Sequence, residues 1–285
     1  MDAQLETYLV KEAGRIVTPA LLIYPKIVEQ NIRITLGLVG NDPQRWRPHI
    51  KTAKLGAVIR QMLGQGVQNF KCATTLELLI ACQMGALDVL VAFAMTGANA
   101  QRVLELAKQF PKARVSVLVE ANEQLAAWKD SSIGIFVDVN PGMNRTGMDP
   151  ARIPEIVKIC QQVGRAFRGL HWYDGHISSG EPDERKAAAY QGYDRLTEIV
   201  KAVEAAGCPV GEVITSGTPV APYAYLYPRF MNAKFVHRIS PGTVVYNDTT
   251  SLKQLAGLGY QAAAVILTTV ISHPAADRIT CDGGH

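Results

Sequence analysis

The stretch "WRPHIKTAK", residues 46–54, begins with the apolar and extended character of a short strand and runs into "LGAVIRQML", residues 55–63, which has helical spacing. A strand passing into a helix is half of a βα unit, and Lys51 sits at the junction. In barrels and open α/β sheets, ligand chemistry collects where strands end at the carboxyl edge. A lysine held at an apolar strand end loses hydration, so its amine deprotonates more easily and can form an imine with a carbonyl. The other reading is a solvated lysine that opens the helix, and Lys54, one turn on, fits that reading. His49 alternates with Lys51 and so shares its strand face, either as a site residue or as a packed core histidine.

The same alternation of short apolar runs and helical segments continues along the chain. Strands are expected at 20–25, 46–51, 69–74, 88–93, 114–120, 133–140, 169–176 and 211–217, with a ninth near "KFVHRISPG". Helices are expected in "TTLELLIACQMGA", "ANAQRVLELAKQF", "PARIPEIVKICQQVG" with Asp149 as N-cap, and "AAAYQGYDRLTEIVKAVEAAG". This spacing predicts an α/β chain folded as a (βα)8 TIM-type barrel, with a doubly wound sheet as the alternative topology. After "PGTVVYNDTTSL" the pattern changes. "GYQAAAVILTTVISHP" and "DRITCDGG" read as neighbouring antiparallel strands, and the end at His285 reads as that of an incomplete β unit.

At 285 residues and 48% hydrophobic content the chain is long enough for a large core. A net charge of +4, without any run of like charge, argues against a nucleic-acid partner. Five scattered cysteines without CxxC spacing suit a reducing compartment, and the absence of a leader-like or membrane-length apolar run predicts a cytoplasmic protein without a membrane partner.

Three further segments carry polar residues at strand ends. In "VDVNPGMNRTGMDP", residues 137–150, Asp138 and Asn140 close a strand and a glycine-rich turn delivers Arg145, suited to an anionic oxygen or to a neighbouring carboxylate. In "GLHWYDGHIS", residues 169–178, His171 and Tyr173 share one face and Trp172 takes the other; an aromatic here can stack on a planar ligand, and His176 can act as a base. No helical H-E-x-x-H or comparable spacing supports a metal site from these residues alone. In "VITSGTPVAPY", residues 213–223, Ser216, Gly217 and Thr218 form either an anion cradle or a common turn. A lysine for an imine, an aromatic, an arginine and an anion cradle together match pyridoxal phosphate, a flat aldehyde with a phenolate and a phosphate.

"RPHIKTAK", "NPGMNRTGM", "GLHWYDGH", "TSGTP" and "SPGTVVYND" follow one another in an order that resembles the alanine-racemase-like, fold type III pyridoxal 5'-phosphate enzymes, in the branch of D-threonine aldolase and D-serine dehydratase. The resemblance implies that Lys51 forms the imine with the cofactor. It sets Arg145 near the phenolic oxygen, Tyr173 at the ring face, and Ser216, Gly217 and Thr218 at the phosphate, with His49 and Tyr246 as further cofactor contacts. It implies a barrel domain over 26–250 and an incomplete β domain from 1–25 and 251–285, with "ALLIYP" pairing with "AAVILTTVISH" and "ITCDGG". In the racemases an arginine contacts the pyridine nitrogen; here Ser240 takes the matching position, with Arg238 two residues before it.

The implied activity is cleavage of a β-hydroxy D-amino acid to glycine and an aldehyde, with His176 as base. The alternatives are D-serine dehydratase-like or racemase activity, or a non-catalytic pyridoxal phosphate carrier. A divalent metal, Mn2+ or Zn2+, is expected by resemblance, with ligands beyond His285. Asp282 and His285 match no ligand motif. The resemblance also implies a homodimer.

Overall fold

The computed structural model describes residues 7–283. Its core is a parallel sheet of seven strands in chain order: β2 (Asn69–Cys72), β3 (Asp88–Val91), β4 (Arg114–Val119), β5 (Gly134–Asp138), β6 (Phe167–Trp172), β7 (Glu212–Thr215) and β8 (Val236–Ile239). The ring closes through residues 46–50, which bridge β8 at Trp46–Ile239 and β2 at His49–Lys71. The expected strand over "WRPHIK" is therefore two isolated bridges instead of a ladder. Pro48 has no N–H to donate. The pairing that remains is Arg47 N–H to the Ile239 carbonyl at 2.9 Å, Lys71 N–H to the Pro48 carbonyl at 2.9 Å and Ile50 N–H to the Lys71 carbonyl at 2.7 Å.

Side chains fill the barrel in three levels. At the amino-terminal end of the strands, Arg47 bonds Glu212 and Asp88, each at 2.8 Å, Arg168 bonds Asp88 at 2.6 Å, and Arg238 pairs with Glu212. Above them lie Leu90, Leu118, Phe136 and Ile214, all at most 4% exposed. Each stabilises by about 1.5–3 kcal/mol through burial. Arg47 and Arg168 pack against the Phe136 ring from below. The carboxyl end is polar and holds Lys71, Asp138 and His171.

That polar level depends on an irregularity in β6. Ile135 pairs with Phe167 and Phe136 with Gly169, so Arg168 is an extra residue. Arg168 and His171 are three positions apart, so in a regular strand they would point to opposite faces. The bulge resets the alternation, and both reach the barrel interior. Gly169 is required there, because its φ is 155° and a Cβ would overlap the Glu212 carbonyl.

At the ends of the chain, β1 (Ala20–Ile23) pairs antiparallel with β9 (Ala264–Leu267), as the resemblance implied. "ITCDGG" does not join them. The chain breaks after Leu267 into β10 (Val270–Ala275), which pairs with β11 (Arg278–Cys281) as a separate hairpin. Pro25 ends the first strand early and opens a helix over Pro25–Leu38. Two helix boundaries also differ from expectation. The helix after β5 begins at Ile153 with Arg152 at the N-cap position, while Asp149 accepts from Ala151 N–H one turn earlier. The helix after β6 covers Pro182–Ala205 and starts with a capping box between Glu181 and Glu184. Among the described residues no helix is long and apolar enough to cross a membrane.

Candidate active site

Lys51 lies in the turn after the closing segment, with its side chain exposed. Its backbone N–H donates to His49 Nδ1 at 3.2 Å. Burial of part of its chain, and then the charge of Arg145, lower its amine below the usual lysine range. His49 is held neutral, chiefly by burial and then by the charges of Lys71 and Lys51. Lys54 is exposed, with its ammonium 3.1 Å from Glu77, and so has the ordinary helix-opening role. Tyr246 donates its hydroxyl to the Ala53 carbonyl at 3.0 Å, which fixes the turn that carries Lys51.

Tyr173 is the point on which these elements converge. Lys51 Nζ lies 5.5 Å from its ring centroid, the Arg145 guanidinium 5.1 Å and Lys71 Nζ 5.2 Å. A Cβ on Gly217 would stand 3.2 Å from Tyr173 Cε2, so the "TSGTP" turn also reaches the ring. Ser216, Gly217 and Thr218 are buried, and Ser216 adopts a left-handed φ of 66°. Residues from four segments thus lie around one aromatic ring.

Arg145 is delivered by a self-bonded loop. Asn140 Oδ1 accepts from Gly142 N–H at 2.9 Å and Asn144 N–H at 3.1 Å, and Thr146 donates to Asp138 Oδ2 at 2.8 Å. The other carboxylate oxygen, Asp138 Oδ1, is 2.6 Å from His171 Nδ1. Because a carboxylate accepts, Nδ1 carries the hydrogen, and the remaining Nε2 accepts from Lys71 Nζ at 3.3 Å.

Beneath the Ser216–Thr218 turn lies Asp174, 1% exposed. It accepts from the Tyr193 hydroxyl at 2.7 Å, and burial pushes its carboxyl up to about 6.

His176 stands on the rim. Its Nε2 would lie 3.4 Å from a Cβ on Gly142, and the ring borders a 570 Å³ cleft with Trp172, Pro150 and Arg185. Arg238 is committed to the lower ion network, where it also bonds the Gln44 carbonyl at 2.6 Å, so it does not serve the lysine end of the barrel. Ser240 follows β8; its N–H donates to Ser216 Oγ at 3.4 Å and its hydroxyl to the Arg47 carbonyl at 2.8 Å.

Sequence reasoning passed over Lys71 and Asp174 as site residues. A lysine inside the apolar run "NFKCAT" was the available signal for the first. The second needs the fold, because only the approach of Tyr193 and the "TSGTP" turn buries it. Asp282 accepts from Thr18 and Thr269, which ties down the hairpin, and His285 lies outside the described residues. Among the described residues no group of three or more His, Cys, Asp or Glu could hold a metal ion.

The chain is 23% identical to the D-threonine aldolase of an Arthrobacter species, over 95% of this chain and 72% of that protein. It is 24% identical to the D-threo-3-hydroxyaspartate dehydratase of Delftia sp. (strain HT23), over 90% of this chain and 68% of that protein. Its fold is like the crystal structure of D-threonine aldolase from Filomicrobium marinum, with a TM-score of 0.85 and 23% identity over 96% of this chain and 74% of that one. Residues 23–249 match the family described as "Alanine racemase, N-terminal domain", and the chain belongs to that family.

Proposed function

We propose that this protein binds pyridoxal phosphate and acts as a lyase on a β-hydroxy D-amino acid, with Lys51 as its covalent anchor. The observation that carries this reading is the convergence of Lys51, Arg145 and the Gly217 turn on the ring of Tyr173. The residues fit the cofactor, since they supply an amine of lowered basicity, a cation for a phenolic oxygen and an aromatic face. The Ser216–Thr218 turn supplies a small-residue surface for a phosphate. When bound, pyridoxal phosphate supplies an electron sink for the charge left at Cα of an amino acid.

The chain's own groups then divide the work. Lys51 has an enlarged neutral fraction, because partial burial and then the charge of Arg145 oppose its charge, and only the neutral amine attacks a carbonyl. Arg145 offers its planar guanidinium fork to an anionic oxygen. His176, lowered by burial and therefore neutral at physiological pH, accepts the β-hydroxyl proton in aldol cleavage. Dehydration is the second reading, favoured by the likeness to the Delftia dehydratase. It requires removal of the Cα proton instead. Activation by Mn2+ or Zn2+ belongs to the same proposal. The described residues do not form a site for such an ion, and no step is routed through one.

The test uses protein incubated with pyridoxal phosphate. The wild type turns yellow and Lys51→Ala does not, whereas a colourless wild type rejects the reading. Aldehyde release from D-threonine, lost on chelation and restored by Mn2+ or Zn2+, supports the aldolase, and pyruvate from D-serine supports the dehydratase. A yellow protein that releases neither is a carrier.

A further inference from the structure

Lys71 is a buried amine with an unusual set of neighbours. It lies on β2, 1% exposed, and its Nζ is hydrogen-bonded to His171 Nε2 at 3.3 Å. The carboxylates around it are engaged elsewhere. Asp138 gives one oxygen to His171 Nδ1 and the other to Thr146, Asp174 accepts from Tyr193, and Glu212 and Asp88 are held by arginines at the far end of the barrel. Lys51 from the following turn and Arg47 from the closing segment add repulsion, against which the charges of Asp138 and Asp174 favour the ammonium form. His49 and His171 face it as neutral rings, and Arg145, on the 140–149 loop, lies 5.1 Å from the Tyr173 ring centroid.

We propose that Lys71 is a further ligand-binding residue of this site, the ammonium counter-charge for a carboxylate or phenolate oxygen of the bound ligand. The inference rests on the reading of the site as a pyridoxal phosphate centre. Three cations within 5.1–5.5 Å of one ring centroid mark where negative charge is to be received. Two of them, Lys51 and Arg145, are exposed and screened by water, but Lys71 is not. A lysine needed only to orient His171 would use one N–H, and a neutral amide would do the same without desolvating an amine. In the ligand-free site, burial and the charge of Lys51 hold the amine at about 7. An anion brought into contact favours the charged form and raises that value. Ligand entry is therefore coupled to proton uptake at Lys71. It also makes Lys71 the one cation of the three whose charge the ligand creates.

Proton uptake is the measurement. Pyridoxine 5'-phosphate has the phenolic oxygen and the phosphate but no aldehyde, so it binds without reacting with Lys51. It is titrated into cofactor-free protein at pH 8, by calorimetry in two buffers of different ionisation enthalpy. In a second arm D-alanine, which supplies a carboxylate and has no β-hydroxyl to cleave, is titrated into cofactor-loaded protein. Wild type is expected to take up about one proton more than Lys71→Met in one of the two arms. An excess in the first arm assigns the phenolic oxygen as partner, and an excess in the second assigns the substrate carboxylate. Lys71→Gln, which keeps a hydrogen-bond donor for His171, is expected to behave as Lys71→Met does. It also serves as the comparison if the methionine variant does not fold. Equal uptake by wild type and the variants in both arms overturns the inference. A wild type that binds neither pyridoxal phosphate nor pyridoxine 5'-phosphate overturns the underlying reading of the site instead.

Discussion

The hydroxyl of Tyr193 donates to Asp174 Oδ2 at 2.7 Å with both residues buried, so the floor of the "TSGTP" turn is a carboxyl group shielded from water. Burial raises Asp174 from 3.8 to about 6. Between roughly pH 4 and pH 6 the folded state therefore binds more protons than the unfolded chain, and stability falls as pH rises through that window. Above it the ionised group costs up to about 3 kcal/mol. Asp174→Asn keeps an acceptor for Tyr193 and removes the charge. Its melting temperature is expected to gain on that of the wild type between pH 4.5 and pH 7; an unchanged difference at the two pH values contradicts the assignment.

The lower ion network is expected to be unforgiving. Arg47 is fully buried and satisfies Glu212 and Asp88 together, so Arg47→Met leaves two carboxylates short of a partner inside the barrel. Removing one partner of a buried pair costs about 3–5 kcal/mol. Urea denaturation should show a loss of that order, and a loss below about 1 kcal/mol would be inconsistent with the pairing.

Gly217 separates ligand space from folding. Its φ of −99° is open to any residue, so Gly217→Ala strains no backbone. The added methyl meets Tyr173 Cε2 at 3.2 Å and the hydroxyl at 3.3 Å. A several-fold weaker affinity for pyridoxal phosphate is expected, with a melting temperature close to that of the wild type. Unchanged affinity would show that this turn does not face the ligand.

His176 offers a separation of chemistry from binding. Its ring is exposed and its contacts are on the rim, so His176→Gln should leave the colour with pyridoxal phosphate and the thermal stability as they are. If it is the base, turnover of D-threonine falls by roughly 10²- to 10⁴-fold. Turnover within a few-fold of wild type would remove it from the mechanism.

Much of the site was legible because strand ends in α/β folds are predictable places. Lys51, Arg145, Tyr173 and Gly217 each follow an apolar run, and they meet because successive parallel strands bring their carboxyl ends to one rim. Asp138, His171 and Lys71 were harder to connect. Their bonds run between β5, β6 and β2, and the inward aim of His171 together with Arg168 depends on a bulge that alternation by twos does not contain. Arg238 shows the same limit from the other side. Arg238 lies on β8 two residues before Ser240, and that offset is enough to place its side chain at a different level of the barrel, against Glu212.

The local sequence determined the seven strands of the parallel sheet and most of the helices between them, and that an amine, a guanidinium, an aromatic and a small-residue turn follow apolar runs, because those depend on periodicity and composition within a few residues. Closure of the ring through 46–50, the burial that lowers Lys71 and raises Asp174, and the withdrawal of Arg47 and Arg238 to the opposite end were decided only in three dimensions. Desolvation and ion pairing depend on which distant residues come within a few ångströms of a charge, and that proximity is a property of the closed barrel.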